Sequence, residues 1–312
     1  MTGSRRLLTV HAHPDDESSK GSASVAMYTD RGVVASLVCC TGGEQGDILN
    51  PAMDRPEVRD NLHQVRRDEL AEAAAVLGYH RVHWLGYLDS GMEGSDTNSD
   101  PACFAQAPLP EAVDRLAAII RAERPHVVVT YGEDQQGYRH PDHLRVAEIS
   151  APALEAAADP DACPGGGEPW QVLKMYYVTW SRNRISALHA KFGELNLESP
   201  YDERWFSRPS NDDAITTRIN CADYFDRRSK ALLAHRTQVD PDSKFWFGLP
   251  DHHMADAYPW EDYILARSLV DTDLPESDLF AGIDPSLPES DLFAGIDPSL
   301  PESDLFAGIE TE

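Results

Sequence analysis

Two short segments concentrate the residue types that metal-assisted hydrolysis needs: His11-Ala-His-Pro-Asp-Asp-Glu17 and Gly137-Tyr-Arg-His-Pro-Asp-His143. His13 and Asp16 stand three residues apart at a turn, so an imidazole and a carboxylate can converge on one cation while Asp15, between them, turns toward a water. With His143 as a third ligand the set is two His and one Asp with a position left open, which is the arrangement of a catalytic zinc rather than a closed structural one. Asp15 is then the general base for a water attacking a carbonyl. Tyr138 or a protonated His140 can face the developing oxyanion, with Asp142 holding His140 in orientation, and His140 can also protonate a leaving amine. A plainer reading competes with this one. Asp at a strand end is often a helix cap, and Asp15 could cap a helix beginning near Ser18. For either segment alone the two readings are level; together, on successive strand ends, they favour hydrolysis.

The elements around these segments explain how they could meet. Arg5 to Ala12 reads as a strand, Ser18 to Arg31 as a helix, Val33 to Cys40 as a strand, and Asp60 to Leu77 as a helix with apolar spacing at Leu62, Val65, Leu70, Ala73 and Leu77. A third strand is expected over Arg81 to Leu85, a helix over Pro110 to Glu123, and a buried parallel strand over His126 to Tyr131, bounded by Pro125 and Gly132. Pro141 to Ala157 reads as the next helix. This β-α-β-α order predicts an α/β fold, a Rossmann-like doubly wound and mostly parallel sheet, in which ligands bind beyond the carboxyl ends of the strands. Both segments leave such ends, so one site can be built from both.

After Gly165-Gly-Gly167 the pattern loosens: a strand is expected at Val172 to Trp180 and helices near Arg184 to Leu195, Cys221 to His235 and Trp260 to Val270. The domain reading is a catalytic core over 1–165, a substrate-facing part of the same unit over 166–270, and a tail over 271–312. Lys244-Phe-Trp-Phe-Gly-Leu-Pro250 is unusually apolar for a loop and is expected near the substrate. His252 and His253 are weaker candidates for the same pocket.

The pair of motifs, His13-Pro-Asp-Asp16 with His140-Pro-Asp-His143, resembles the LmbE-like or PIG-L zinc deacetylase family, which includes glucosaminyl-phosphatidylinositol deacetylases and the mycothiol enzymes. The resemblance covers about residues 5 to 270. It implies one zinc per chain on His13, Asp16 and His143, with Fe²⁺ as an alternative, Asp15 as general base, and His140 and Tyr138 as the oxyanion and acid groups. Ser18-Ser-Lys-Gly21, Thr41-Gly-Gly-Glu-Gln-Gly46, Val65-Arg-Arg-Asp-Glu-Leu70 and Gly86-Tyr-Leu-Asp-Ser-Gly-Met92 look more like the mycothiol S-conjugate amidase branch than the precursor deacetylase branch, with Lys20 the main discriminator. That branch implies cleavage of a thiol conjugate in detoxification, and contacts from Lys20, Glu44, Arg66 and Asp89 to inositol and sugar hydroxyls. Plain alternatives remain for these residues: Glu44 and Asp89 as loop carboxylates, and Arg66 on a solvated helix face beside Glu69.

Composition sets the surroundings. The 312 residues carry a formal charge of −26, which opposes phosphate contacts and argues against nucleic-acid binding. No apolar run approaches the ~20 residues of a membrane-spanning helix, and the first residues lack a signal-peptide pattern, so a cytoplasmic location without membrane contact is expected. The cysteines, Cys39, Cys40, Cys103, Cys163 and Cys221, include no C-x-x-C pair and read as reduced thiols. The substrate is expected to be a small molecule, and a homo-oligomer is compatible with the sequence.

The tail is a separate object. Residues 271–312 hold twelve Asp or Glu and no Lys or Arg, and Leu274-Pro-Glu-Ser-Asp-Leu-Phe-Ala-Gly-Ile283 recurs from Leu287 and from Leu300, a period of thirteen residues. Its acidity and small apolar content predict a disordered segment. The repeats are read as a duplication without function or as a docking motif, at Leu279-Phe280 and its copies, for an unidentified partner.

Overall fold

The computed structural model describes residues 4–135 and 138–284. In chain order they form β1 (Arg6–His11), α1 (Asp16–Ser19), α2 (Ser22–Asp30), β2 (Val34–Thr41), α3 (Pro56–Arg59), α4 (Leu62–Leu77), β3 (Arg81–Tyr87), α5 (Leu109–Glu123), β4 (Val127–Thr130), α6 (Pro141–Ala158), β5 (Lys174–Thr179), α7 (Arg182–Glu194), α8 (Glu203–Ser207), β6 (Thr217–Asn220), α9 (Phe225–Ala234), α10 (Lys244–Phe247), α11 (Asp251–Ala257) and β7 (Trp260–Ser268). Short 3₁₀ turns lie between some of them.

The strands make one sheet in the order β3-β2-β1-β4-β5-β7-β6. β1 to β5 are parallel; β7 runs antiparallel to both β5 and β6. The expected α/β, mostly parallel sheet is therefore present. The order turns back at β1, which pairs with β2 on one side and with β4 on the other, for example Leu7 with Ala35 and with Val127. A crevice opens at such a reversal because the connections leave the two strands toward opposite faces. Both histidine motifs start there, the first after His11 and the second beyond Thr130.

Apolar side chains cover both faces of the sheet. One layer packs Leu8, Val10, Val38 and Val128 under α5 and α6, through Leu116, Ile120, Val146 and Ile149. The other packs Leu7, Val127, Tyr176 and Tyr263 against α2, α4 and α9, through Met27, Leu77 and Ala231. The β-branched run in β4 is buried along its length, as a central parallel strand covered on both faces requires. Among the described residues no helix is long and apolar enough to cross a membrane. All five cysteines are buried and free.

Four expectations are corrected. The segment expected as a helix over Trp260 to Val270 is instead the strand Trp260–Ser268: pairing on both sides by β5 and β6 outweighs helical spacing, and the buried Glu261 accepts from the Ala23 and Ser24 amides (3.3 and 2.8 Å), satisfying the start of α2 from across the molecule. The helix expected over Ser18 to Arg31 is two helices, broken at Gly21, whose φ is +78° and where a Cβ would sit 3.0 Å from the Tyr263 hydroxyl. The apolar segment at 244–250 opens with the short helix α10. Finally, residues 271–284, expected to be disordered, are packed: Leu279, Phe280 and Ile283 are almost fully buried in the layer with α2. The copies at 287 and 300 lie outside the described residues.

Candidate active site

β1 delivers the first motif into a constrained turn. Asp15 has φ 109°, a left-handed conformation that costs a non-glycine residue about 1–3 kcal/mol unless its surroundings impose it. Here the surroundings do impose it. The Asp15 N–H donates to Glu17 Oε2 (2.9 Å), and Arg66 Nη2 donates to the Pro14 carbonyl (2.5 Å) and to Asp15 Oδ2 (3.1 Å). Glu17 is itself buried and paired with buried His235 (2.7 Å). Asp15 stands at the N-cap of α1, yet its side chain makes no capping bond; the carboxylate lines the cavity instead. Burial pushes its pKa above the ordinary carboxylate value, against the opposing charge of Arg66.

Arg66 reaches this turn from α4 and is almost wholly buried rather than on a solvated face. The glycines of the 41–46 loop make room for it. A Cβ at Gly43 would lie 2.4 Å from its Cζ, and one at Gly46 would lie 2.6 Å from Nη1. Glu69 does not pair with it but accepts from the Thr237 amide and hydroxyl (3.0 and 2.7 Å).

His13, Asp16 and His143 converge as a buried set of possible metal ligands. His143 Nε2 is 3.3 Å and His13 Nδ1 3.6 Å from Asp16 Oδ2. The outer atoms of both rings are occupied. His13 Nε2 lies 3.1 Å from Asp142 Oδ2, and since a carboxylate can only accept, that nitrogen carries the proton and Nδ1 is left for a cation. His143 Nδ1 meets Gln135 Oε1 at 3.2 Å, which leaves its Nε2 facing Asp16. Burial favours a neutral His13, but Asp142, Asp16 and Asp89 raise its pKa well above the ordinary value. The pocket thus draws positive charge, and its mixed nitrogen and oxygen donors suit a divalent metal. A second set, His13, Asp89, His140 and Asp142, overlaps the first. Its acceptors are already used: Asp142 takes the Ser90 amide (3.0 Å) and hydroxyl, and Asp89 takes the Gly91 and Gln45 amides (2.8 and 3.2 Å).

The remaining expected residues divide. Lys20, at the break between α1 and α2, bonds Asp16 Oδ1 (2.5 Å) and lines the cavity. With it and His143, Asp16 stays well below the usual carboxylate range despite burial. Asp89, Arg66, His140 and Tyr138 also line the cavity. Asp142 does not; it is fully buried, its carboxylate serves His13 and Ser90, and its backbone N–H, not its carboxylate, holds His140 by donating to Nδ1 (3.2 Å). That bond puts the His140 proton on Nε2, while burial and the neighbouring His13 bring its pKa down to about 4. With Nδ1 taken by that amide, His140 has its Nε2 left as a donor. Glu44 accepts from the Asp89 amide (3.0 Å) and is not among the cavity-lining residues, nor are His252 and His253.

Sequence reasoning assigned no role to Glu17, though it closes the first motif, and missed Ser90, Gln135 and His235, whose partners in the site no spacing announces. It also missed Tyr131, which stacks on His143 with ring centres 4.7 Å apart and whose hydroxyl meets the Ala12 amide (3.1 Å). The cavity, about 550 Å³, continues from this polar end to an aromatic wall of Trp180, Trp205, Phe245 and Trp246. Phe245 stacks on Trp180 and on Trp205 with centroids 5.8 and 5.3 Å apart.

The family model described as "PIG-L: GlcNAc-PI de-N-acetylase" matches residues 8–154, a span that holds both motifs. A mycothiol S-conjugate amidase from Streptomyces coelicolor is 45% identical over 91% of this chain and 99% of its own. A 1D-myo-inositol 2-acetamido-2-deoxy-alpha-D-glucopyranoside deacetylase from Saccharopolyspora erythraea is 40% identical over 89% of this chain and 100% of its own. Among solved structures, N,N'-diacetylchitobiose deacetylase from Pyrococcus horikoshii shares the fold with a TM-score of 0.58 at 17% identity, covering 84% of this chain and 83% of that one.

Proposed function

The chain belongs to the PIG-L family of metal-dependent amide hydrolases, among the mycothiol-related amidases and deacetylases, and from that premise we propose that it cleaves mycothiol S-conjugates. The bond broken is the amide between an N-acetylcysteine S-conjugate and glucosaminyl-inositol. The products are a mercapturic acid and the free aminosugar inositol, as thiol-dependent detoxification requires. The observation that carries this choice is the aromatic end of the cavity. An acetyl group would leave that wall unfilled, whereas a cysteine bearing an apolar substituent would bury surface against it at about 25 cal/mol per Å². The S-conjugate amidase relative, at 45% identity, points the same way.

His13 Nδ1, Asp16 Oδ2 and His143 Nε2 would hold a zinc ion, which supplies Lewis acidity to the scissile carbonyl and to the attacking water. Asp15 takes the proton from that water as its oxygen bonds to the carbonyl carbon. The His140 Nε2–H donates to the oxygen that gains charge, and Tyr138, an exposed residue of the cavity lining, adds a second donor. As the C–N bond breaks, the nitrogen takes up the proton Asp15 received. His140, its Nδ1 held by the Asp142 amide, acts through its Nε2–H. Lys20 and Arg66 present cations to the polar end of the substrate, and Arg66 also fixes Asp15.

The second reading is N-acetylglucosaminyl-inositol deacetylation, favoured by the deacetylase relative at 40% identity. The same machinery serves both reactions. Amine release from a mycothiol S-conjugate and from the acetylated sugar should be compared with zinc-loaded enzyme and a chelated control. Chelator-sensitive turnover with a higher kcat/KM for the conjugate is expected; a preference for the acetyl sugar would transfer the assignment to the deacetylase.

A further inference from the structure

The first copy of the C-terminal repeat is built into the fold, and its contacts are of several kinds. Glu276 pairs its backbone with β6, its N–H donating to the Thr216 carbonyl (2.9 Å) and its carbonyl accepting from the Arg218 amide (3.0 Å). Its buried carboxylate takes Lys174 Nζ, the Tyr176 hydroxyl (2.7 Å) and the Thr217 hydroxyl (2.8 Å). Tyr28 donates to Asp278 (2.9 Å) and accepts from the Leu279 amide (2.8 Å), and its ring meets Phe280 edge-on at 5.5 Å. Leu279, Phe280 and Ile283 complete the apolar layer beside α2. The groove is thus made by Tyr28, Lys174, Tyr176 and Thr217, and it reads Glu, Asp, Leu, Phe and Ile at fixed spacing.

The copies from Leu287 and Leu300 repeat those residues without a change, as Glu289, Asp291, Leu292, Phe293 and Ile296 and again as Glu302, Asp304, Leu305, Phe306 and Ile309. We infer that the groove can be filled by any of the three copies of its own chain, so that the second and third are spare occupants that replace the first when it is damaged or displaced. Every side chain that makes the docking contacts inside the repeat is present in each copy. What differs lies upstream. Thr272 donates to Glu276 Oε1 (2.5 Å), and the corresponding positions before the later copies are Pro285 and Pro298, which have no hydroxyl. The first copy therefore holds the groove in the intact protein. Engaging a later copy loops out one or two thirteen-residue units, and the closure entropy grows only with the logarithm of loop length.

The test uses full-length chains. F280D places a carboxylate in the apolar layer and should be tolerated, with a fall in Tm of a few degrees and activity retained, because Phe293 or Phe306 takes over. F293D/F306D should melt as the unaltered protein does. F280D/F293D/F306D should lose far more than F280D, or fail to fold. Equal losses in F280D and the triple variant, or an F280D chain that does not fold, would overturn the inference. Light scattering supplies the second readout: a mass unchanged from the unaltered protein is expected for F280D, and a doubled mass would mean that the groove is filled by another chain, against replacement within one chain.

Discussion

At the scale of single residues, the site is a matter of which carboxylate is left free. Asp16 is bonded to Lys20 and faces both imidazoles, Asp142 is spent on Ser90 and His13, and Asp89 on two backbone amides. Asp15 faces the cavity with a pKa raised by burial and restrained by Arg66. Its basic form is the carboxylate, so kcat/KM should fall as pH drops through its pKa. Removing the guanidinium in Arg66→Gln takes away the influence that lowers that pKa, and the acid limb of the pH profile should move to higher pH with metal content unchanged. A limb that stays in place would show that Arg66 does not act on Asp15. Asp15→Ala should lower kcat by about 10²-fold or more while the protein still binds zinc, as metal analysis would report; His13→Ala should lose both. The convergence of His13, Asp16 and His143, and the place of Asp15 at the cavity, were legible in the sequence because each lies in a motif whose spacing brings it to a strand end. Ser90 and His235 were not, since they reach the site from segments joined to it only by folding, and Gln135, two residues before the second motif, carries no spacing that marks its bond to His143.

At the scale of elements, the turn after β1 depends on pieces far apart in the chain. α4 sends Arg66 under it, the 41–46 loop makes room for that side chain, and α9 ends at His235 beneath Glu17. The glycine pattern of the loop was visible in the sequence, but its reason, a buried guanidinium against the backbone, was not. Gly43 has φ +65°, and a Cβ there would collide with Arg66. Gly43→Ala should therefore displace Arg66, release the Asp15 turn and reduce turnover by tenfold or more; kcat with bound metal measured alongside would separate this from loss of the cation. An unchanged kcat would mean the turn holds without Arg66. β7 shows the opposite failure of sequence reasoning. Its residues fit a helix as an isolated segment, and only pairing with β5 and β6, which no local pattern announces, makes them a strand.

At the scale of the whole molecule, the surprise is that an acidic, repetitive terminus closes the sheet layer that carries α2. Composition predicted disorder because it averages over residues, whereas docking depends on one glutamate and three apolar side chains meeting a groove already lined by Lys174, Tyr28 and Tyr176. Burial alone would raise the Glu276 carboxyl, but Lys174 and the hydroxyls of Thr272, Tyr176 and Thr217 hold its pKa below the ordinary value. A carboxyl lowered in the folded state contributes stability that is present above its unfolded pKa, about 4.3, and is lost as pH falls through the folded value. Lys174→Met removes the cation from the groove itself, so no copy of the repeat can restore the pair. The carboxylate is then buried without its counter-charge, and about 3–5 kcal/mol of stability should be lost near neutral pH. Urea denaturation of the unaltered and Lys174→Met chains should show this gap at pH 7 and its narrowing as pH falls toward and through the folded pKa of Glu276, where the unaltered protein also surrenders the pair. A gap that is constant across that range would mean the methionine disturbs packing alone and that the ion pair does not hold the terminus.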